Sequence, residues 1–258
     1  MERLFILGTS SGLEPMPGRI HSSFVLEVNG KNYVFDAGEG SSRRAHLSGI
    51  DLLNVPAIFL THPHFDHTGG IFGWLWNIRK LSQRTHRTPP NGRLSVFFPN
   101  RASWEGIWQY MTQTEGHYKS SFELNGVCFE KGEIYRDENI AVSAFETTHL
   151  SPDGTGKCQS YGFSAKTASG KKILFSGDLK GLFDLDQVMG EAPDVLLCET
   201  GHHKVREVME YAEAHGVGKL LLVHHNRGFV EGDPETVKEF SSCPIPYEVC
   251  YDGQVIPL

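Results

Sequence analysis

Residues 61–67 read Thr-His-Pro-His-Phe-Asp-His and place three imidazoles and a carboxylate, His62, His64, Asp66 and His67, within six positions. Such a run is too polar for a core and too regularly spaced for a solvated loop. In extended chain, side chains two apart face the same way, so His62 and His64 can grip one ion. A tighter turn at Asp66-His67 lets that pair face a second ion beside it. Imidazole and carboxylate donors without thiolate suit Zn²⁺, Mn²⁺ or Fe²⁺ rather than a sealed structural zinc. A metal pair needs more donors than one loop provides. His149, Asp178 and His224 each follow an apolar, strand-like run, and the Asp178 carboxylate can bridge two cations. Any one of these three alone reads as a turn former or a solvated histidine, and their company with the first motif makes them ligand candidates.

The elements that must carry these residues are legible around them. Residues 57–60 are a short apolar run that predicts a buried strand, and Gly69-Gly70 followed by Ile71, Phe72, Leu75 and Ile78 predicts a helix start. The first motif therefore sits on a strand-to-helix loop. Strands are expected at 4–8, 23–28 and 31–35, with Asn29-Gly30 as a type I′ hairpin signal between the last two. Further strands are expected at 94–98, 141–145 and 194–198, and at 161–166 paired with 172–175 around Ser169-Gly170. A helix at 204–214 places Val205, Val208, Met209 and Ala212 on one face, and a strand at 220–223 leads into His224. The tail, 247–258, reads as a closing hairpin around Asp252-Gly253. These elements describe an α/β architecture with the site on loops at one sheet edge.

With 258 residues and 39% hydrophobic content, the chain can form one large domain over 1–258, burying about 70–75% of its unfolded surface. No run of about 18 apolar residues predicts a membrane span, and the N-terminal apolar stretch is short for a signal peptide. Five scattered cysteines, Cys128, Cys158, Cys198, Cys243 and Cys250, form no C-x-x-C pair and suggest reduced thiols in the cytoplasm. The formal net charge of −7 and the lack of a basic run argue against a long nucleic acid as partner. The sequence leaves formation of a homodimer open.

The order His62-x-His64-x-Asp66-His67, His149, Asp178, His224 resembles the metallo-β-lactamase-fold hydrolases over essentially the whole chain. The resemblance implies a four-layer αβ/βα sandwich and two divalent ions, with zinc first and manganese or iron as alternatives. It implies that His62, His64 and His149 hold one ion, that Asp66, His67 and His224 hold the other, and that Asp178 bridges. Asp36, in Phe35-Asp36-Ala37-Gly38-Glu39-Gly40, resembles the family's acidic turn, which supports the metal loop from behind. Residues 8–12, Gly-Thr-Ser-Ser-Gly, and Glu199-Thr200-Gly201-His202 resemble the phosphodiesterase branch that includes ribonuclease Z. There the equivalent Glu and His assist at the phosphate without binding metal, although His203 leaves the register open. Two departures stand out. The 29 positions from His149 to Asp178 leave no room for the long arm that holds tRNA, and His224-His225-Asn226-Arg227-Gly228 differs from that subgroup's usual run.

The expected activity is hydrolysis of a small or short phosphodiester: a cyclic phosphate, a nucleotide or a short oligonucleotide. Metal-activated water would attack phosphorus, Asp66 would orient the nucleophile, and His202 held by Glu199 would stabilise charge or protonate the leaving oxygen. Rival readings are a lactone or thioester hydrolase, a tRNA 3′-processing endonuclease and a non-hydrolytic metal-binding member of the fold. Trp74, Trp76, Trp104 and Trp108 read as core residues rather than base-stacking platforms.

Overall fold

The computed structural model describes residues 2–114, 118–239 and 245–258. Cys243 and His117 lie outside them. The chain forms two compact units, Met1–Gly8 with Ile20–Phe129 and Gly253–Leu258, and Thr9–Arg19 with Glu130–Asp252.

The first unit is built on a seven-stranded mixed sheet. In chain order it contributes β1 (Glu2–Gly8), β2 (Ser23–Val28), β3 (Lys31–Phe35), α1 (Ser41–Leu47), β4 (Ala57–Phe59), α2 (Phe65–Thr68), α3 (Ile71–Thr85), β5 (Arg93–Phe98), α4 (Arg101–Thr112) and β6 (Glu123–Cys128). The β2–β3 hairpin turns at Asn29 and Gly30, whose φ angles of 51° and 81° are both positive, as a type I′ turn requires. From β3 onward the pairing is parallel: β3 to β4, β4 to β5 and β5 to β6. Parallel neighbours need crossovers. Helices α1 and α3 lie in those crossovers and bury Ile71, Trp74, Leu75 and Ile78 in one cluster with Val25, Val34, Ile58 and Val96 of the sheet. Strand β2 is buried on both faces, since Phe24, Val25, Leu26 and Val28 are all buried.

The second unit contributes β7 (Gly132–Arg136), β8 (Ile140–Glu146), β9 (Tyr161–Thr167), β10 (Lys172–Phe175), β11 (Val195–Thr200), α5 (Val205–Ala214), β12 (Lys219–His225), α6 (Arg227–Val230), α7 (Pro234–Glu239) and β13 (Tyr247–Val249). Its sheet order is β13-β12-β11-β10-β9-β8-β7. Strands β8, β9 and β10 run antiparallel in succession, while β10 to β13 are parallel. Strands β8, β10, β11 and β12 therefore end at the same edge. The predicted face of α5, Val205, Val208, Met209 and Ala212, is buried against Leu196, Cys198, Leu220 and Leu222.

The tail departs from its expected hairpin. Residues 247–249 pair in parallel with β12, whereas β14 (Val255–Pro257) pairs antiparallel with β1 in the other sheet. The turn is real, but it redirects the chain. Thr9 donates to the Asp252 carboxylate from its backbone (3.0 Å) and its hydroxyl (2.6 Å), and Gly253 N–H donates to the Ile6 carbonyl (2.8 Å). Among the described residues, no helix is long and apolar enough to cross a membrane.

Candidate metal and catalytic centre

In the first unit the motif follows β4 as expected, and Asp66 and His67 lie on a single helical turn, α2. His62, Asp66 and His67 are buried, while His64 is exposed. His62 Nε2 lies 3.1 Å from His64 Nδ1, and His67 Nε2 lies 3.4 Å from Asp66 Oδ2.

The loop is held from behind by the acidic turn. Asp36 takes the left-handed φ of 58° directly after β3. Its carboxylate accepts the Thr61 backbone N–H (2.8 Å), the Thr61 hydroxyl (3.0 Å) and His67 Nδ1–H (2.7 Å). Gly70 N–H donates to the Ala37 carbonyl, and Ala37 N–H donates to the His67 carbonyl, both at 2.7 Å. Only glycine fits at this approach: a Cβ on Gly70 would stand 2.2 Å from the Gly38 carbonyl oxygen.

The second unit presents its candidates at the common end of β8, β10, β11 and β12. Asp178 Oδ2 lies 3.7 Å from His149 Nε2, and Asp178 Oδ1 lies 3.4 Å from His224 Nε2. His224, next to last in β12, takes a left-handed conformation, φ 52°, at a register shift against β11. Glu199, next to last in β11, is buried and accepts N–H groups from Leu179 (3.2 Å) and His202 (2.9 Å). His202 Nδ1–H donates to Glu199 Oε1 at 3.0 Å, and the His202 ring stacks 5.6 Å from that of His224 and lies tilted by 57° at 5.0 Å from that of His149. Burial alone would push the Glu199 carboxyl up. The His202 hydrogen bond and the His224 imidazole outweigh it and hold the group below the usual carboxylate range.

The two neighbouring histidines differ in geometry. The His203 side chain is 9% exposed with its Nε2 3.5 Å from Glu199, whereas that of His202 is 43% exposed and makes the hydrogen bond. An ionised Glu199 fixes the proton on His202 Nδ1, which leaves Nε2 to take or hold a second proton.

The donor spacings fit divalent cations. Two donors each about 2.0–2.1 Å from a tetrahedral ion stand about 3.3 Å apart. The within-unit separations of 3.1, 3.4, 3.4 and 3.7 Å match that spacing. Three of the four are longer than good hydrogen bonds. Crowding buried imidazoles and carboxylates in this way is costly unless a cation compensates them.

Sequence reading missed Asp184. It is buried after β10 and accepts the Thr148 N–H (3.1 Å), the Thr148 hydroxyl (3.0 Å) and the Lys180 N–H (3.2 Å). It thereby fastens the segments that carry His149 and Asp178. His225, given no role from sequence, is also buried and structural. It faces Thr200 Oγ1 (2.9 Å) and the Cys250 carbonyl (3.0 Å), and burial pushes its pKa down to about 3. Trp74 is core, as expected, and donates to Ser41 Oγ at 2.9 Å, whereas Trp76 and Trp104 are only partly buried and Trp108 is exposed, contrary to the core reading.

The model of the metallo-beta-lactamase superfamily matches residues 16–157, more than half of the chain. The chain belongs to this superfamily. Ribonuclease Z of Methanothermobacter thermautotrophicus is 24% identical over 279 aligned positions, covering 87% of this chain and 86% of that protein. Among solved structures, the short form of human tRNase Z matches with a TM-score of 0.73 and 20% identity over 99% of this chain and 100% of that chain. A diphosphatase of the PhnP family matches with a TM-score of 0.68 and 15% identity over 100% and 98%. These likenesses show that the chain has the α/β fold of the superfamily. Between His149 and Asp178 the second unit holds a loop and the β9–β10 hairpin, so the segment is that of a ribonuclease Z relative without the long arm.

Proposed function

We propose that this metal-dependent hydrolase cleaves phosphodiesters in small or short substrates. The observation that carries the choice of phosphorus over carbon is the Glu199–His202 pair: a buried carboxylate 3.0 Å from the Nδ1 of a half-exposed imidazole stacked on His224. Its support from relatives is the ribonuclease Z likeness. In this reading His62, His64, Asp66 and His67 from the first unit, with His149, Asp178 and His224 from the second, hold two divalent cations, zinc being the first candidate. When bound, the cations supply a Lewis acid for phosphoryl oxygens and an activated nucleophile near neutral pH.

The chain's own residues do the rest. Asp36 fixes the His67 tautomer so that Nε2 faces the donor set, and Asp66 orients the attacking group. His202 Nε2 carries the proton that reaches the leaving oxygen, while Glu199 keeps that ring in place and stabilises its positive charge. A cytoplasmic location and a small or short substrate rather than a long nucleic acid belong to the same reading.

The deciding experiment compares bis(p-nitrophenyl) phosphate with p-nitrophenyl acetate and a lactone, for wild type and His202→Ala at equal metal content. The expected outcome is a preference for the phosphodiester and a fall in kcat of roughly 10²–10⁴-fold in the variant. Faster hydrolysis of the ester or lactone, indifferent to His202, would replace this reading with the carboxylic one.

A further inference from the structure

Helices α1 and α3 are unlike the other long helices of the chain. In α4 and α5 an arginine pairs with a glutamate one turn on, Arg101 with Glu105 and Arg206 with Glu210, both at 2.7 Å. Helices α1 and α3 together contain Arg43, Arg44, Arg79, Lys80 and Arg84 and no acidic residue. Arg79 is accounted for, being buried and donating to the Lys119 carbonyl at 2.6 Å. Arg43, Arg84 and Lys80, whose ammonium also stands 4.5 Å over the Trp76 ring, line one groove of about 570 Å³ between the two helices, together with His46, Asn77, Leu47 and Leu81. Lys80 and Arg84 are like charges one turn apart, an arrangement that weakens a helix.

Arg43 and Arg84 have no acidic partner recorded among the described residues, and Asp51, in the adjoining depression, pairs with Arg87 at 2.6 Å. The whole-chain charge of −7 hides this concentration. The first unit carries eleven Lys and Arg against nine Asp and Glu, and the second carries thirteen against twenty-two.

We propose that the α1–α3 groove is a second ligand site, separate from the donor loops, that binds a nucleoside polyphosphate. Three permanent cations match the charge of a polyphosphate chain, and arginine forks match its oxygens. The volume falls in the range of small-molecule sites. Leu47, 67% exposed, and Leu81 form an apolar wall that a base and ribose would cover and that a bare phosphate would leave wet. Lys80 and Arg84 lie ten and fourteen residues beyond Gly70, which places them about 15–21 Å along α3 from the metal loop. A ligand there leaves the donor set open. Both helices nevertheless begin at the segments that hold that set: α1 follows the turn after Asp36, and α3 follows α2. Occupancy of the groove is therefore a means of stiffening those segments.

The test is calorimetric titration of the metal-loaded protein with ATP, inorganic tripolyphosphate and a short oligoribonucleotide of equal charge. Wild type, Arg43→Glu/Arg84→Glu, Leu47→Ala and His202→Ala are compared. Expected are ATP binding that is weakened at least tenfold in the double charge variant, weakened severalfold in Leu47→Ala and unchanged in His202→Ala. Tripolyphosphate is expected to bind more weakly than ATP and to ignore Leu47→Ala. Hydrolysis of bis(p-nitrophenyl) phosphate by the double variant should stay within twofold of wild type, and its melting temperature should be unchanged.

Absence of ATP binding to wild type, or ATP binding that survives Arg43→Glu/Arg84→Glu, overturns the proposal. Preferential binding of the oligoribonucleotide, lost in the same variant, overturns it in favour of a strand track. Failure of wild type on the phosphodiester would count against the proposed activity and leave the titration result standing on its own.

Discussion

Replacing Asp36 by Asn alters one atom at the back of the metal loop, and the consequences follow from the hydrogen bonds. Asp36 Oδ1 accepts Thr61 N–H at 2.8 Å, a role the asparagine carbonyl oxygen keeps. Asp36 Oδ2 faces His67 Nδ1 at 2.7 Å, between side chains 4% and 2% exposed, and there asparagine presents N–H₂. His67 must then turn Nδ1 into an acceptor, which moves its proton to Nε2, the atom that faces Asp66. A protonated Nε2 cannot ligate. Loss of such a supporting partner typically weakens metal binding 10–100-fold, or about 1.4–2.7 kcal/mol.

Asparagine also tolerates the φ of 58° at this position, so the backbone is not strained further. Asp36→Ala is less informative. It strands the buried Thr61 N–H and His67 N–H at about 1–3 kcal/mol each, a large part of a typical domain's stability. The assay is competition for zinc against a fluorescent chelator, with thermal melting in excess chelator as the control for folding. Wild-type affinity in Asp36→Asn at an equal melting temperature would show that His67 Nε2 is not a metal donor.

Three further outcomes are expected. Gly201→Ala would place a Cβ 2.6 Å from His224 Nδ1, and displacing that ring should lower phosphodiester turnover by roughly 10²-fold, measured beside metal content. Asp184→Leu should weaken metal binding and activity by at least tenfold, whereas Asp184→Asn, which keeps an acceptor for the Thr148 and Lys180 N–H groups, should recover most of both. His225 has a native pKa of about 3, below its unfolded value near 6.5, so between those values the unfolded chain binds a proton that the native chain does not. Its stabilising contribution is thus complete above about pH 6.5 and is lost on acidification, by up to about 1.4 kcal/mol per pH unit. Denaturant titrations in chelator at pH 7 and pH 5 should show a shallower loss for His225→Gln than for wild type.

Where local pattern and tertiary pairing agree, the sequence was sufficient. The apolar run before His62, the glycine pair before Ile71 and the Asn29-Gly30 turn are short-range signals, and the structure has β4, α3 and the β2–β3 hairpin there. The strand before His224 and the buried face of α5 were equally legible. The tail was not, because its two strands choose partners more than 20 residues away: Tyr247 against Leu220, and Ile256 against Leu4. Alternation and turn chemistry do not encode such partners. The segment from 101 to 136 likewise carries α4, β6 and β7 without a strong period. Four of six β6 residues are only partly buried, so the contrast that marks a strand in sequence is weak.

Asp184 escaped for a different reason: its role is visible only in its partners. A signal nevertheless existed. Thr61-His62 and Thr148-His149 are the same dipeptide at the ends of two strands. In each case a buried aspartate from another segment accepts both the N–H and the hydroxyl of the threonine, Asp36 in the first unit and Asp184 in the second. Holding those two donors fixes the peptide that leads into the donor histidine, and each carboxylate makes one more bond that reaches a second donor. Asp36 takes His67 Nδ1–H, and Asp184 takes the N–H of Lys180, two residues past Asp178. The two sheets therefore solve one problem in the same way. A loop rich in lone pairs would relax in water, and a buried carboxylate with three donors to satisfy keeps it taut.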